Sequence, residues 1–122
     1  MDIRTKRIYE PAAADDGQRI LVDRLWPRGV SRDEARLDLW LRDVAPSHGL
    51  RERFHADRRR EGDWEEFCRL YAQELSGHPA VEDLLARVRQ GRVTLLYASR
   101  DEEHNNAVAL REYLSTAAPR KG

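Results

Sequence analysis

A single cysteine, Cys68, leaves the chain no intramolecular disulfide and suits a reducing compartment. Long apolar runs are missing too. No window approaches the roughly 18 consecutive apolar residues of a spanning helix, and the N-terminal MDIRTKRIYEP lacks the apolar stretch of a signal peptide. Neither sign of charge is in excess, since 22 Lys+Arg balance 22 Asp+Glu and the formal net charge is zero with His neutral. That balance argues against a global footprint for nucleic acid or anionic lipid, while leaving room for a local basic patch. His48, His55, His78 and His104 have neither the paired spacing nor the cysteine pair of a zinc site, and the acids of 101–103 do not follow the EF-hand pattern. No nucleophile elbow, Walker motif or dinucleotide fingerprint occurs, so no cofactor is announced. The expectation is a cytoplasmic protein with no membrane partner, no metal and no cofactor.

What is present fits one domain over residues 1–122, with 116–122 as a frayed tail, because a chain of this length cannot fill a second core. Three stretches have strand character: Ile3 to Tyr9, Arg19 to Leu25 and Val93 to Tyr97. The first is thinly apolar and basic, as suits an edge protected by charge. The other two contain short continuous apolar runs, ILV and VTLLY, of the kind found in strands covered on both faces. The link from Glu10 to Gln18, with Pro11 and an Asp16-Gly17 turn signal, is shorter than a usual parallel crossover. The first two strands are therefore either antiparallel neighbours or not adjacent.

Helical signals fill the long interval before the third strand. Asp63 with Glu66 reads as a capping box ahead of a stripe of Trp64, Phe67, Leu70, Tyr71 and Leu75. Pro79 opens a second helix, striped by Val81, Leu84, Leu85 and Val88, that Gly91 stops. Ser31 with Glu34 and Pro46-Ser47 before LRERF mark two shorter helices, and the last helix runs from Asn105 or Asn106 to about Leu114. Residues 37–44, LDLWLRDV, fit both periods and are read as helix. The fold class that follows is α/β: a small, mainly parallel sheet of three to four strands flanked by helices.

In open α/β sheets, ligands collect beyond the carboxyl ends of the strands. Two loops qualify, RLWPRGVS after the second strand and ASRDEEHNN after the third. In the first, Arg24 and Arg28 offer planar forks for carboxylate or phosphate, with Trp26 and Trp40 as walls. Gly29 permits a positive φ just before the helix that Ser31 caps, so main-chain amides also become candidate anion donors. In the second, Asp101 and His104 are candidate catalytic groups, a carboxylate able to orient an imidazole that titrates near neutral pH, with Asn105 as a further ligand contact. A competing structural reading stands beside each: the arginines pair with Asp43 or Asp101 while the tryptophans pack, and Asp101 or Asn105 merely caps the last helix. Cys68, beside Phe67 on an amphipathic helix, reads as a packing residue. Arg51, Arg53 and Arg58 to Arg60 are interspersed with acids and read as solvated surface, which disfavours nucleic-acid binding.

The chain resembles the YeaO-like branch of the bacterial family called "domain of unknown function 488". The stretches that carry the resemblance are DGQRILVDRLWPRGVS (16–31), LWLRDVAPS (39–47), LRERF (50–54), WEEFCRLYAQEL (64–75) and VTLLYASRDEEHNNAVALREYL (93–114). It implies a small α/β protein of the bacterial cytoplasm and transfers no reaction or cofactor. The wider family is marked by Cys-His-Arg after the last strand, where this chain has Glu103-His104-Asn105, so a thiol-based mechanism does not carry over. The expected function is binding of a small anionic ligand, such as a phosphorylated one, with general acid/base activity as an extension. The alternative is a protein interaction module, or a homodimer joined through the Trp/Arg surface.

Overall fold

The computed structural model describes residues 1–56 and 62–117. Its sheet consists of β1 (Ile3–Arg7), β2 (Gln18–Leu21), β3 (Leu39–Trp40) and β4 (Val93–Tyr97), in the order β1-β4-β2-β3 with every neighbouring pair parallel. The apolar runs occupy the interior positions, and β4 is buried along its whole length because strands flank it on both sides. The basic β1 is an edge strand. β4 separates β1 from β2, so of the two arrangements open to the short first link, the non-adjacent one is realised.

That link turns at Asp16-Gly17. Gly17 has φ 68°, and a Cβ there would strike the Arg92 carbonyl, the same group that accepts the Gln18 N–H at 3.0 Å. Only glycine lets the backbone pass this close to its neighbour. Just before it, Asp16 receives Arg19 Nη1 at 2.6 Å and Lys6 Nζ at 3.1 Å, while the remaining Arg19 donors reach the Ala35 and Arg36 carbonyls at 2.8–3.2 Å. The amino end of β2 is thereby pinned to the far side of the next connection.

The helices are α1 (Arg32–Ala35), α2 (His48–Ala56), α3 (Asp63–Leu75), α4 (Pro79–Gln90) and α5 (Asn106–Ala117). Ser31 and Glu34 form the expected capping box, each side chain accepting the other's main-chain N–H at 3.0 Å. α3 departs from expectation: Gly62, not Asp63, is its cap, and Glu66 turns to Arg69 at 2.8 Å instead of back to the cap. Residues 37–44 are not a helix. Leu39 and Trp40 pair with Ile20 and Leu21 as β3, and a 3-10 turn spans Arg42–Val44. The open ladder groups of β2 decide this, because the local pattern satisfied either period. α5 runs past Leu114 to Ala117; residues 118–122 of the expected tail lie outside the described residues, as do 57–61 and with them the Arg58 to Arg60 run.

Each sheet face has its own core. Ile20, Val22, Val93, Leu95 and Tyr97 join the apolar stripes of α2 to α5, with Tyr71, Leu84, Leu110 and Leu114 sealed inside. Leu21 and Leu96 point the other way and meet Ile8 and Ala35, flanked by Trp26, Leu37 and Trp40. Each fully buried Leu or Ile contributes about 1.5–3 kcal/mol, so the larger cluster carries the stability and the smaller one shapes the loop after β2. Among the described residues, no helix is long and apolar enough to cross a membrane.

Candidate functional site

Because β1, β4 and β2 run parallel, their carboxyl ends finish at one edge. Beyond them come Ile8-Tyr9, Ala98-Ser99 and Asp23-Arg24, and these segments are tied together there. Arg7 Nε donates to the Ser99 carbonyl at 2.9 Å, the Ala98 N–H donates to Asp23 Oδ2 at 2.9 Å, and the Val22 N–H reaches the Leu96 carbonyl at 3.1 Å. A cavity of about 500 Å³ opens at this edge, between the loop after β2, the loop after β4 and the faces of α2 and α3.

Five of the nine residues picked from the sequence line it: Arg24, Trp26, Arg28, His104 and Asn105. Arg24 Nη2 makes long bonds to the Ala45 and Pro46 carbonyls, at 3.2 and 3.3 Å, and its buried Nε has no hydrogen-bond partner. Neither Arg24 nor Arg28 forms an ion pair among the described residues. Trp26 is engaged by the protein itself: Nε1 donates to the Val30 carbonyl at 2.7 Å, Trp40 meets it edge-on at 5.3 Å, and the Arg32 guanidinium lies 5.1 Å from its ring centroid. Asn105 is the cap of α5, with Oδ1 accepting the Val108 N–H at 2.9 Å and Nδ2 donating to the Asp101 carbonyl at 2.8 Å.

The other four sit away from the cavity wall. Trp40 lies behind the loop, its Nε1 donating to the Asp23 carbonyl at 2.8 Å and its ring covered by Arg42 at 4.0 Å. Gly29 takes the positive φ foreseen for it, 80°, in an exposed turn. Ser31 is occupied with capping. Asp101 Oδ1 accepts the N–H groups of Glu103 and His104 at 3.0 and 2.9 Å, so a main-chain amide joins Asp101 to residue 104. The His104 ring instead stacks on Trp64, with centroids 4.7 Å apart and planes 19° from parallel.

The cavity also holds residues the sequence did not single out. Asp23, the second residue after β2, keeps Oδ2 on the Ala98 N–H and Oδ1 on Asn106 Nδ2 at 3.2 Å. Burial raises its carboxyl above the ordinary range, against the opposing pull of the Ala98 N–H, Asn106 and the Arg51 charge. Arg51, grouped by sequence with the solvated surface, lines the wall, as do Arg100, Phe54 and Phe67. Its signal was its spacing, three residues before Phe54 on one helical face. Among the described residues, the lining thus carries four guanidinium groups, of Arg24, Arg28, Arg51 and Arg100, against one carboxylate, in a chain whose total charge is zero.

Cys68 packs against the main core, and burial followed by the Glu112 and Glu65 charges pushes its thiol up to about 11, so it is protonated at neutral pH. Among the described residues, no three His, Cys, Asp or Glu side chains are grouped to hold a metal ion.

The model of a family described as "Inactive DUF488-N3 subclade" matches residues 2–122. Similar curated proteins include the uncharacterized protein YeaO of Escherichia coli K12, 39% identical over 93% of this chain and 97% of that protein. The uncharacterized protein Rv3073c of Mycobacterium tuberculosis H37Rv is 38% identical over 93% of each chain, as is Mb3100c of Mycobacterium bovis. No solved structure gives a significant match.

Proposed function

The chain belongs to the family described as the inactive DUF488-N3 subclade, and from that premise we propose that it binds a small anionic ligand in this cavity without turning it over. The observation that carries the proposal is Arg24, a guanidinium that lines the hollow and is paired with no acid among the described residues. Arg51 and Arg100 add positive potential inside a concave wall, where low-dielectric surroundings focus it. The volume lies within the usual range for small-molecule sites and favours a ligand over a flat docking face. A non-catalytic role fits the family description. It also fits the absence of the wider family's cysteine at Glu103, and the His104 ring engaged with Trp64.

Titration calorimetry with inorganic phosphate and pyrophosphate tests this. Wild type is expected to bind, more weakly as salt is raised. Arg24→Ala is expected to lose ten- to hundred-fold in affinity, the loss of charge-assisted bonds worth about 1.5–3 kcal/mol. Equal affinity in the two proteins, or no binding of either anion, overturns the assignment.

A further inference from the structure

The cavity's one carboxylate among the described residues and its ring-lined wall narrow the class of ligand. Asp23 uses one acceptor site on each oxygen, for Ala98 and Asn106, and a carboxylate offers about four such sites, so capacity remains on both oxygens. A bare anion drawn in by the arginines meets this negative charge and is repelled by it. A ligand that turns an N–H toward Asp23 and its anion toward the arginines converts the repulsion into a charge-assisted bond. The wall supplies the second observation. Phe54 and Phe67 lie 4.5 Å apart by ring centroid and line the same space, as does Arg51, three residues before Phe54 on α2.

Resting on the anion-binding reading above, we propose that the ligand is a planar, N–H-bearing ring joined to a phosphate, the chemistry of a nucleoside monophosphate. The ring packs on Phe54 and Phe67, an N–H donates to Asp23, and the phosphate is held by Arg24 and Arg51. A dianion with three peripheral oxygens uses several guanidinium forks at once, as a single carboxylate group cannot. Asp23 is then the selecting residue: it admits anions that bring a donor and disfavours those that do not.

The test compares the four common nucleoside 5′-monophosphates, their nucleosides and inorganic phosphate by titration calorimetry against wild type and Asp23→Asn. At least one nucleotide is expected to bind wild type ten-fold or more tighter than both phosphate and its own nucleoside. In Asp23→Asn that nucleotide is expected to weaken about ten-fold while inorganic phosphate binds more tightly, opposite changes that simple damage to the site does not produce. If phosphate binds wild type as tightly as every nucleotide, the ring and Asp23 assignments fall and the anion site survives. If no anion binds, both fall. Both affinities moving the same way in Asp23→Asn removes the selecting role, and should that variant not fold, the wild-type ranking decides alone.

Discussion

At the amino end of β2, Asp16 and Arg19 close on each other at 2.6 Å, with Lys6 and two main-chain carbonyls taking up the remaining bonds. At the carboxyl end, Asp23 and Arg24 adjoin in sequence but do not pair; each is held by main chain or amide groups, and Arg24 keeps a buried donor unused. The same two side-chain types serve opposite ends because of what surrounds them. The first pair is 5% and 4% exposed, so any unmet charge there would be lost stability. The second borders an open hollow from which an outside group can approach Asp23 and the Arg24 guanidinium. Charge satisfaction, more than residue type, separates scaffold from candidate site in this molecule.

The largest way to break the closed end is Asp16→Ala. It strips Arg19 and Lys6 of their carboxylate, and breaking a buried pair from one side costs about 3 kcal/mol or more. Chemical denaturation should show this as a lower midpoint with little change in slope. The Ala35 and Arg36 carbonyls still hold Arg19, which keeps the loss from being total. An unchanged midpoint would mean that the network does not constrain the strand. Gly17→Ala attacks the same end through the backbone. It forces a side chain into φ 68° and against the Arg92 carbonyl, at an expected cost of about 2 kcal/mol by the same measurement. Gly29→Ala is the control. Its φ is also positive, 80°, but nothing lies within reach of an added Cβ, so its loss should be the smaller of the two.

The closed end was more legible in sequence than the open one, for physical reasons. An apolar run of three to five residues with a turn signal before it states its own burial, and β2, β4 and the Asp16-Gly17 turn were all visible that way. Residues 37–44 were not, because β3 exists only through the hydrogen-bonding groups of β2, some twenty positions away, and no local period records them. The two loops that would meet were readable from strand order and from the resemblance. Asp23 was passed over since its partner is Ala98, 75 residues on. Arg51 was hidden among alternating charges that resemble an ordinary wet helix. Trp26 and Trp40 were conspicuous, yet most of their contacts are internal. Conspicuous residue type pointed to a loop that lines the cavity, and overstated which of its members face the space.

The smallest expected effect is the most discriminating, since it asks both ends to answer one variable with opposite signs. Burial pushes the Asp16 carboxyl up, but the Ala13 N–H, Lys6 and Arg19 outweigh it and hold the group below its ordinary value of 3.8. Stability from Asp16 is therefore complete above that value and drains away as pH falls through the depressed folded one. Asp23 is raised above 3.8 in the folded protein, so its ionised form costs stability at neutral pH, and that cost is relieved as pH falls through its folded value. Unfolding measured from about pH 7 to pH 3 on wild type, Asp16→Asn and Asp23→Asn isolates each group by difference. Wild type should lose ground to Asp16→Asn as acid is added and gain ground on Asp23→Asn over the same range. Two difference curves with the same slope would mean that both ends of β2 meet their charges alike, and the contrast between a finished network and an unfinished one would not stand.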